Sequence, residues 1–271
     1  MKIGFIGIGN MASAIIKGLI ASKQASPEDI YLTNTTPSKL AAFVEETGTQ
    51  ACQTNEELVA TVDIVFVATK PAVFPELLKE LSEAFSQHQP LLVSIAAGIS
   101  LQQLTQYVNS DQALSIIRVM PNLNTQIGEG MAAICGNEHT TEEQMQTIST
   151  IFNAVGKAIR LPEKDFSVFS AIAGCSPAFA FLFIDSLARA AVKNGLSKSQ
   201  ATEIAAQAVL GSAKMILDGS HSPMDLIDQV SSPGGTTVEG VLALFDNHFV
   251  SAVVKAVDAA TEKDQKMMAD N

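Results

Sequence analysis

Basic residues are scarce in this 271-residue chain: 17 Lys and Arg stand against 28 Asp and Glu, a formal net charge of −11. Nucleic acids and anionic membranes are held by clustered Lys and Arg, so neither is expected as a partner. Cysteine is nearly absent, and Cys52, Cys135 and Cys175 are odd in number and widely scattered. They form neither a disulfide framework nor a zinc pattern, which fits a reducing, cytoplasmic setting. The histidines at 88, 139, 221 and 248 lack metal-ligand spacing, so no metal is expected. No secretory signal precedes Ile3, and no uninterrupted apolar stretch is long enough to span a bilayer. Apolar side chains are plentiful at 47%, enough for one large core or two smaller ones.

The first part of the chain alternates strand and helix signals. Ile3–Ile6, Ile30–Leu32, Asp63–Ala68, Leu91–Ile95, Leu114–Val119 and Met131–Cys135 read as strands. The run at 63–68 is almost continuously apolar, as a strand buried on both faces of a parallel sheet must be. Helices are expected at Asn10–Ser22, from Ser38 to about Glu46, from Pro71 onward, at 100–109 and at 140–155. This alternation predicts a Rossmann-type doubly wound parallel sheet over residues 1–161. From Pro162 only helix signals remain, so 162–271 is expected to be an all-α domain. Pro177 opens a long helix closed by Gly195, and Lys198–Asp218 forms another. Ser222-Pro223 starts a short helix, and one long helix runs from Thr237 to about Met268. Segments 177–194 and 200–217 are apolar on most faces, as helices buried by another surface are.

Gly7-Ile8-Gly9-Asn10-Met11-Ala12 matches the G-x-G-x-x-G/A fingerprint between a strand and a helix. Gly7 permits the tight turn, Gly9 lets backbone approach a pyrophosphate, and small Ala12 lets helix and strand pack closely. The pyrophosphate would rest on the free N–H groups of the helix end; a purely structural turn is the alternative. NAD sites place Asp or Glu at the end of the second strand to hold the ribose 2′-OH. Here Thr33-Asn34-Thr35-Thr36 stands there, with Lys39 a turn further. Neutral donors plus a lysine favour NADPH with its 2′-phosphate, with NADH still usable; a plain turn and helix start is the competing reading for these residues.

Ala68-Thr69-Lys70-Pro71 and Ser94-Ile95-Ala96-Ala97-Gly98 follow strands, at the sheet edge where doubly wound folds take ligands. Lys70 is either a cation beside a ligand or a solvated helix-start residue. In Ser231-Ser232-Pro233-Gly234-Gly235-Thr236-Thr237-Val238-Glu239, Thr236 and Glu239 have capping-box spacing. The glycines would let N–H groups converge on a carboxylate, unless this is only a capped helix start.

The stretch Asp225–Gly240 resembles the signature of pyrroline-5-carboxylate reductases. The likeness spans the chain, through Gly7–Ala12, Ala68–Pro71, Arg118-Val-Met-Pro-Asn122 and Ala173-Gly-Cys-Ser-Pro-Ala178. It implies reduction of L-1-pyrroline-5-carboxylate to L-proline by NAD(P)H, the last step of proline biosynthesis. It implies that Ser232, Gly234, Gly235, Thr236 and Thr237 bind the substrate carboxylate, with Thr237 facing the ring nitrogen as the catalytic residue. Ile6, Gly7, Ile8, Gly9, Asn10 and Met11 would line the cofactor, with Asn34 and Asn55. So would Ala68, Thr69, Lys70 and Pro71, and then Ile95, Ala96 and Ala97. The resemblance also implies that 162–271 is a substrate-binding and dimerisation domain. Its helices would interlock in a homodimer, one chain's loop completing the other's site, and some members assemble rings of dimers such as a decamer. Phe179 and Cys175 depart from the usual Tyr and from Ser or Gly.

Hydride addition to an iminium needs positioning and electrostatics more than acid–base machinery. A β-hydroxyacid dehydrogenase shares the two-domain plan but wants a lysine on the first long helix of the second domain. Segment 177–194 offers only Asp185, Arg189 and, at its far end, Lys193. A catalytically silent NADP-sensing protein is the remaining alternative.

Overall fold

The computed structural model describes residues 1–110 and 112–270; residue 271, the end of the expected second domain, lies outside the described residues. Eight strands, β1 (Ile3–Ile6), β2 (Ile30–Thr33), β3 (Gln50–Ala51), β4 (Ile64–Val67), β5 (Leu91–Ser94), β6 (Ile116–Met120), β7 (Gly130–Gly136) and β8 (Gly156–Arg160), form one sheet. Their order is β3-β2-β1-β4-β5-β6-β7-β8. All neighbours are parallel except β6 and β7, which are antiparallel. Between them run α1 (Asn10–Ala21), α2 (Pro37–Thr47), α3 (Asn55–Thr61), α4 (Phe74–Glu80), α5 (Ser82–His88), α6 (Leu101–Val108) and α7 (Glu142–Asn153). This is the doubly wound α/β architecture that the alternation predicts. The chain leaves β1 toward β2 and β3, then crosses back to β4 and onward. The order therefore reverses between β1 and β4, where such sheets hold ligands.

Central strands explain their own burial. Every residue of β1 and β4 is buried, and Phe5 stacks on Phe66 with ring centroids 4.7 Å apart. Such a pair contributes about 1 kcal/mol beyond area burial. Leu19, Ile15 and Ile16 of α1 close one face; Leu58, Phe74, Leu78 and Phe85 close the other. Arg118 is also fully buried in β6. Its guanidinium lies 4.7 Å over Phe166, and Nη1 donates to Glu163 Oε1 at 2.8 Å. The same carboxylate oxygen accepts from the Leu101 backbone N–H at 2.8 Å, tying the start of α6 to this buried pair.

By packing, the chain divides into Met1–Gly174 with Thr261–Asn271, and Cys175–Ala260. The stretch just after the expected boundary at 161, including α8 (Phe166–Phe169) and a π-helical turn (Ser170–Cys175), thus packs mostly with the sheet, where Phe166, Phe169 and Ala173 join Ala133 and Cys135 in one cluster. The second unit holds α9 (Ser176–Lys193), α10 (Lys198–Asp218), α11 (Pro223–Val230), α12 (Thr236–Asp246) and most of α13 (Phe249–Asp270). α10 has the predicted bounds because Ser197 accepts the Gln200 N–H as its N-cap.

The expected single helix from Thr237 to Met268 is corrected to two, α12 and α13. Asn247 caps the first, and His248 takes a left-handed φ of 60°, which a continuous helix does not tolerate. The strand β8 and the two-residue β3 add to those expected. Pro71 begins a short 3-10 turn to Val73 rather than α4 itself. Helical run Glu163–Lys193 contains an 18-residue window of mean hydropathy 1.9, long and apolar enough to cross a bilayer by composition.

Candidate functional site

The ends of β1, β2 and β4 lie level because their registers pair Ile6 with both Thr33 and Val67. Beyond them opens a cleft of about 600 Å³. Ile6 and Gly7 form its floor beside Thr33, Asn34 and Thr35; Cys52–Glu56 supply one wall and Thr69, Val73 and Leu77 another. Gly7 turns with φ +94° while its N–H donates to the Thr33 carbonyl at 2.9 Å. A Cβ there would sit 3.2 Å from the Ala68 carbonyl oxygen in a conformation that L side chains rarely adopt.

Gly9 is different. Its φ of −69° suits any residue, and the nearest protein atom to an added Cβ is 4.0 Å away. The fold itself therefore has room for a side chain at Gly9. Gly9 is also the N-cap of α1 and brings no side-chain cap, and no acidic residue occupies the first turn. The first N–H groups of α1 are left without intrahelical partners at a positive helix end. A pyrophosphate fits this geometry. The Thr69 hydroxyl oxygen is likewise buried without a hydrogen-bond partner, in the wall of the cleft.

The β2 side of the cleft is built from amides and hydroxyls. Thr33 Oγ1 donates to Asn55 Oδ1 at 2.7 Å, and Asn34 Nδ2 donates to the Thr36 carbonyl at 3.3 Å. Asn55 opens α3, set there by Thr54, whose side chain accepts the Glu57 N–H at 3.1 Å. Glu57 Oε2 reaches back to the Gln53 N–H at 2.6 Å. The Thr54-x-x-Glu57 spacing is a helix-start signal legible in the sequence. Glu56 is the acidic residue in the lining and is exposed. Burial pushes the Cys52 thiol up to about 11, with nearby Glu57 adding to the rise, so this wall residue stays neutral.

Of the residues expected at the cofactor, the cleft brings together Ile6, Gly7, Asn34, Asn55 and Thr69. Ala68 and Ile95 continue the sheet edge: Ala68 N–H donates to the Ile6 carbonyl at 3.0 Å and Ile95 N–H to the Val67 carbonyl at 3.5 Å. Ala96 is buried, its N–H donating to Ser94 Oγ at 3.3 Å, while Lys70, Pro71 and Ala97 are exposed. Ile8 is fully buried in the core, so only its backbone is available to a ligand. Met11 packs against the core, and Asn10 lines a separate groove of about 930 Å³ with Ser13, Lys17 and Thr125. That groove is larger than the cleft and runs along α1.

In the second unit, Ser232 closes a turn by accepting the Gly235 N–H at 2.9 Å, with Gly234 at φ +70°. The expected capping box of Thr236 with Glu239 does not form. Gly235 is the N-cap and Thr236 is already the first helical residue, so its hydroxyl is out of position to cap. The N–H groups of Thr236 and Thr237 are left without intrahelical partners. The hydroxyl of Ser231, the first residue of the loop segment, is buried without a hydrogen-bond partner. On α9, Asp185 pairs with Lys198 and, at 2.5 Å, with Arg189. Those hydrogen bonds, from Lys198 first, hold its carboxyl below the usual range. No group of three or more His, Cys, Asp or Glu that could hold a metal occurs among the described residues.

A strand–glycine turn–helix at the sheet's reversal point, with an uncapped helix end and a donor-lined cleft beside it, defines the class of doubly wound dinucleotide-binding proteins. Family comparison narrows this. Residues 163–267 match the profile described as pyrroline-5-carboxylate reductase dimerisation, and 2–98 match NADP oxidoreductase coenzyme F420-dependent. The pyrroline-5-carboxylate reductase of Escherichia coli (strain K12) is 40% identical over 98% of both chains. The structure of a pyrroline-5-carboxylate reductase from Coxiella burnetii aligns with a TM-score of 0.93 at 32% identity, over 98% of each chain. That of the Plasmodium falciparum pyrroline carboxylate reductase, with NADP bound, aligns at 0.86 and 32% identity over 99% of this chain and 98% of its own. The chain belongs to the pyrroline-5-carboxylate reductase family.

Proposed function

We infer that this protein reduces L-1-pyrroline-5-carboxylate to L-proline with NAD(P)H, the last step of proline biosynthesis. The carrying observation is end-to-end similarity, at 40% identity, to a reductase of that name. NADPH, when bound, supplies the hydride. The chain's own residues bind and orient. Gly9 and the first N–H groups of α1 hold the pyrophosphate, and the Thr33–Asn55 side of the cleft holds the 2′-phosphate of NADPH. The Thr69 hydroxyl supplies one further donor, and Ala68–Pro71 and Ile95–Ala97 flank the nicotinamide end.

The loop Ser232–Thr237 takes the substrate carboxylate on the free N–H groups of Thr236 and Thr237. The Thr237 hydroxyl bonds the ring nitrogen as its positive charge is lost, which makes Thr237 the catalytic residue. A dehydrogenase of hydroxyacids is disfavoured, because Arg189 and Lys198 are spent on Asp185 and Lys193 sits in the last turn of α9.

Residues 162–271 serve as the substrate-binding and dimerisation domain. Among the described residues of α9 to α13, only Pro177, Ala188, Ala201 and Ala205 are buried. Phe181, Leu182, Ile204, Leu217 and Val254 are all at least half exposed. An apolar surface of that extent points to a homodimer, and a decamer built as a ring of dimers is the larger assembly. Incubation with L-1-pyrroline-5-carboxylate and NADPH should yield one proline per NADPH oxidised; NADPH oxidation without proline would refute the assignment.

A further inference from the structure

We propose that Thr33 is a specificity-determining residue: by donating to Asn55 it fixes which end of the Asn55 amide faces the cleft, and so selects a 2′-phosphate over a 2′-hydroxyl. The inference rests on the reading of this cleft as the dinucleotide site. A side-chain amide has two faces of opposite character, a carbonyl that only accepts and an NH₂ that only donates. Ribose carrying a free 2′-OH is held by an acceptor, whereas a 2′-phosphate at neutral pH presents oxygen acceptors and calls for donors. Asn55 could serve either, depending on how its amide is turned.

The geometry decides. Thr33 is the last residue of β2, only 6% exposed, and its backbone is fixed by the Gly7 N–H at 2.9 Å. Its hydroxyl donates to Asn55 Oδ1 at 2.7 Å, which turns the carbonyl end of the amide toward β2. The Nδ2 donors are thereby the part of Asn55 offered to the cleft. Turned over, Asn55 would donate to Thr33 Oγ1 and present an acceptor instead. Glu56 in the same lining is an acceptor that works the other way, so selectivity depends on Asn55 being held as a donor.

Valine has nearly the shape of threonine and keeps the strand's backbone bonds, so Thr33→Val removes the hydroxyl alone. Calorimetric titration with 2′,5′-ADP and with 5′-AMP reads the choice without turnover. The wild type should bind 2′,5′-ADP at least tenfold tighter. In Thr33→Val that ratio should fall about tenfold, and Thr33→Ser, which restores the hydroxyl, should recover it. A merely structural role would weaken both nucleotides together and leave the ratio unchanged. If valine is not tolerated, Thr33→Ala should show the same loss of ratio. An unchanged ratio in these variants, or equal binding of the two nucleotides by the wild type, overturns the inference; failure of the wild type to bind either nucleotide overturns the dinucleotide reading instead.

Discussion

Thr236 and Thr237 are neighbours of the same kind placed in different surroundings. Thr236 is exposed and does not cap α12, whereas Thr237 is partly buried at the second helical position. Alanine suits either place in a helix at least as well as threonine. Thr236→Ala should therefore change stability by less than about 0.5 kcal/mol, not by the larger amount a lost cap would cost. Thr237→Ala should fold equally well but lose a hydrogen bond of roughly 1–3 kcal/mol to the developing amine, a fall of about ten- to hundredfold in kcat/KM. NADPH affinity without substrate should not move. Thermal melts and steady-state kinetics on both variants check this; equal kinetics would remove Thr237 from the site. The expected cap at Thr236 falls one residue late because T-x-x-E spacing there mimics a capping box. The chain instead caps at Gly235, one residue earlier, where the turn through Gly234 delivers it.

The strand–turn–helix course of the β1–α1 connection was legible, because its requirements are local and steric. Gly7 must turn with φ +94° against the Ala68 carbonyl, while Gly9 meets no protein atom closer than 4.0 Å. The two glycines should accordingly fail differently. Gly7→Ala strains the backbone and should destabilise by about 1–2 kcal/mol or more. Gly9→Ala should leave the melting temperature unchanged but, on the proposed reading of this helix end, weaken NADPH binding by tenfold or more. A Gly9→Ala protein with normal nucleotide affinity, measured by fluorescence titration, would contradict this use of the helix end. The walls of the cleft were less legible. β3 is two residues long and exposed, and it exists through pairing with β2 rather than through its own pattern. With β3 unseen, residues 53–56 had no assigned place, and Asn55 was reached through family likeness alone. β8 was missed for the same reason: its pattern, with Lys157 and Arg160 in five residues, is not apolar, and its pairing with β7 comes from far along the chain.

At the scale of the whole molecule, the second unit cannot bury its own surface. Four small buried residues are too little core for five helices, and the apolar faces of α9 and α10 that the sequence showed remain exposed on this single chain. A permanent interface of about 2,000 Å² or more is the physical remedy. Light scattering at micromolar concentration should give the mass of two chains or of a ring of dimers; an active monomer would contradict a dimerising helical domain. The sequence indicated that a partner was needed, but periodicity within one chain does not say how the two helical sets fit. The central claim, that this is a reductase of a cyclic imine, is tested most directly by steady-state kinetics. NADPH oxidation should be followed with L-1-pyrroline-5-carboxylate and with the ketones corresponding to small β-hydroxyacids. The kcat/KM for the imine should be at least about a thousandfold higher, roughly 4 kcal/mol of transition-state discrimination. Comparable rates with a ketone, or no turnover of the imine by protein that binds NADPH, would contradict it.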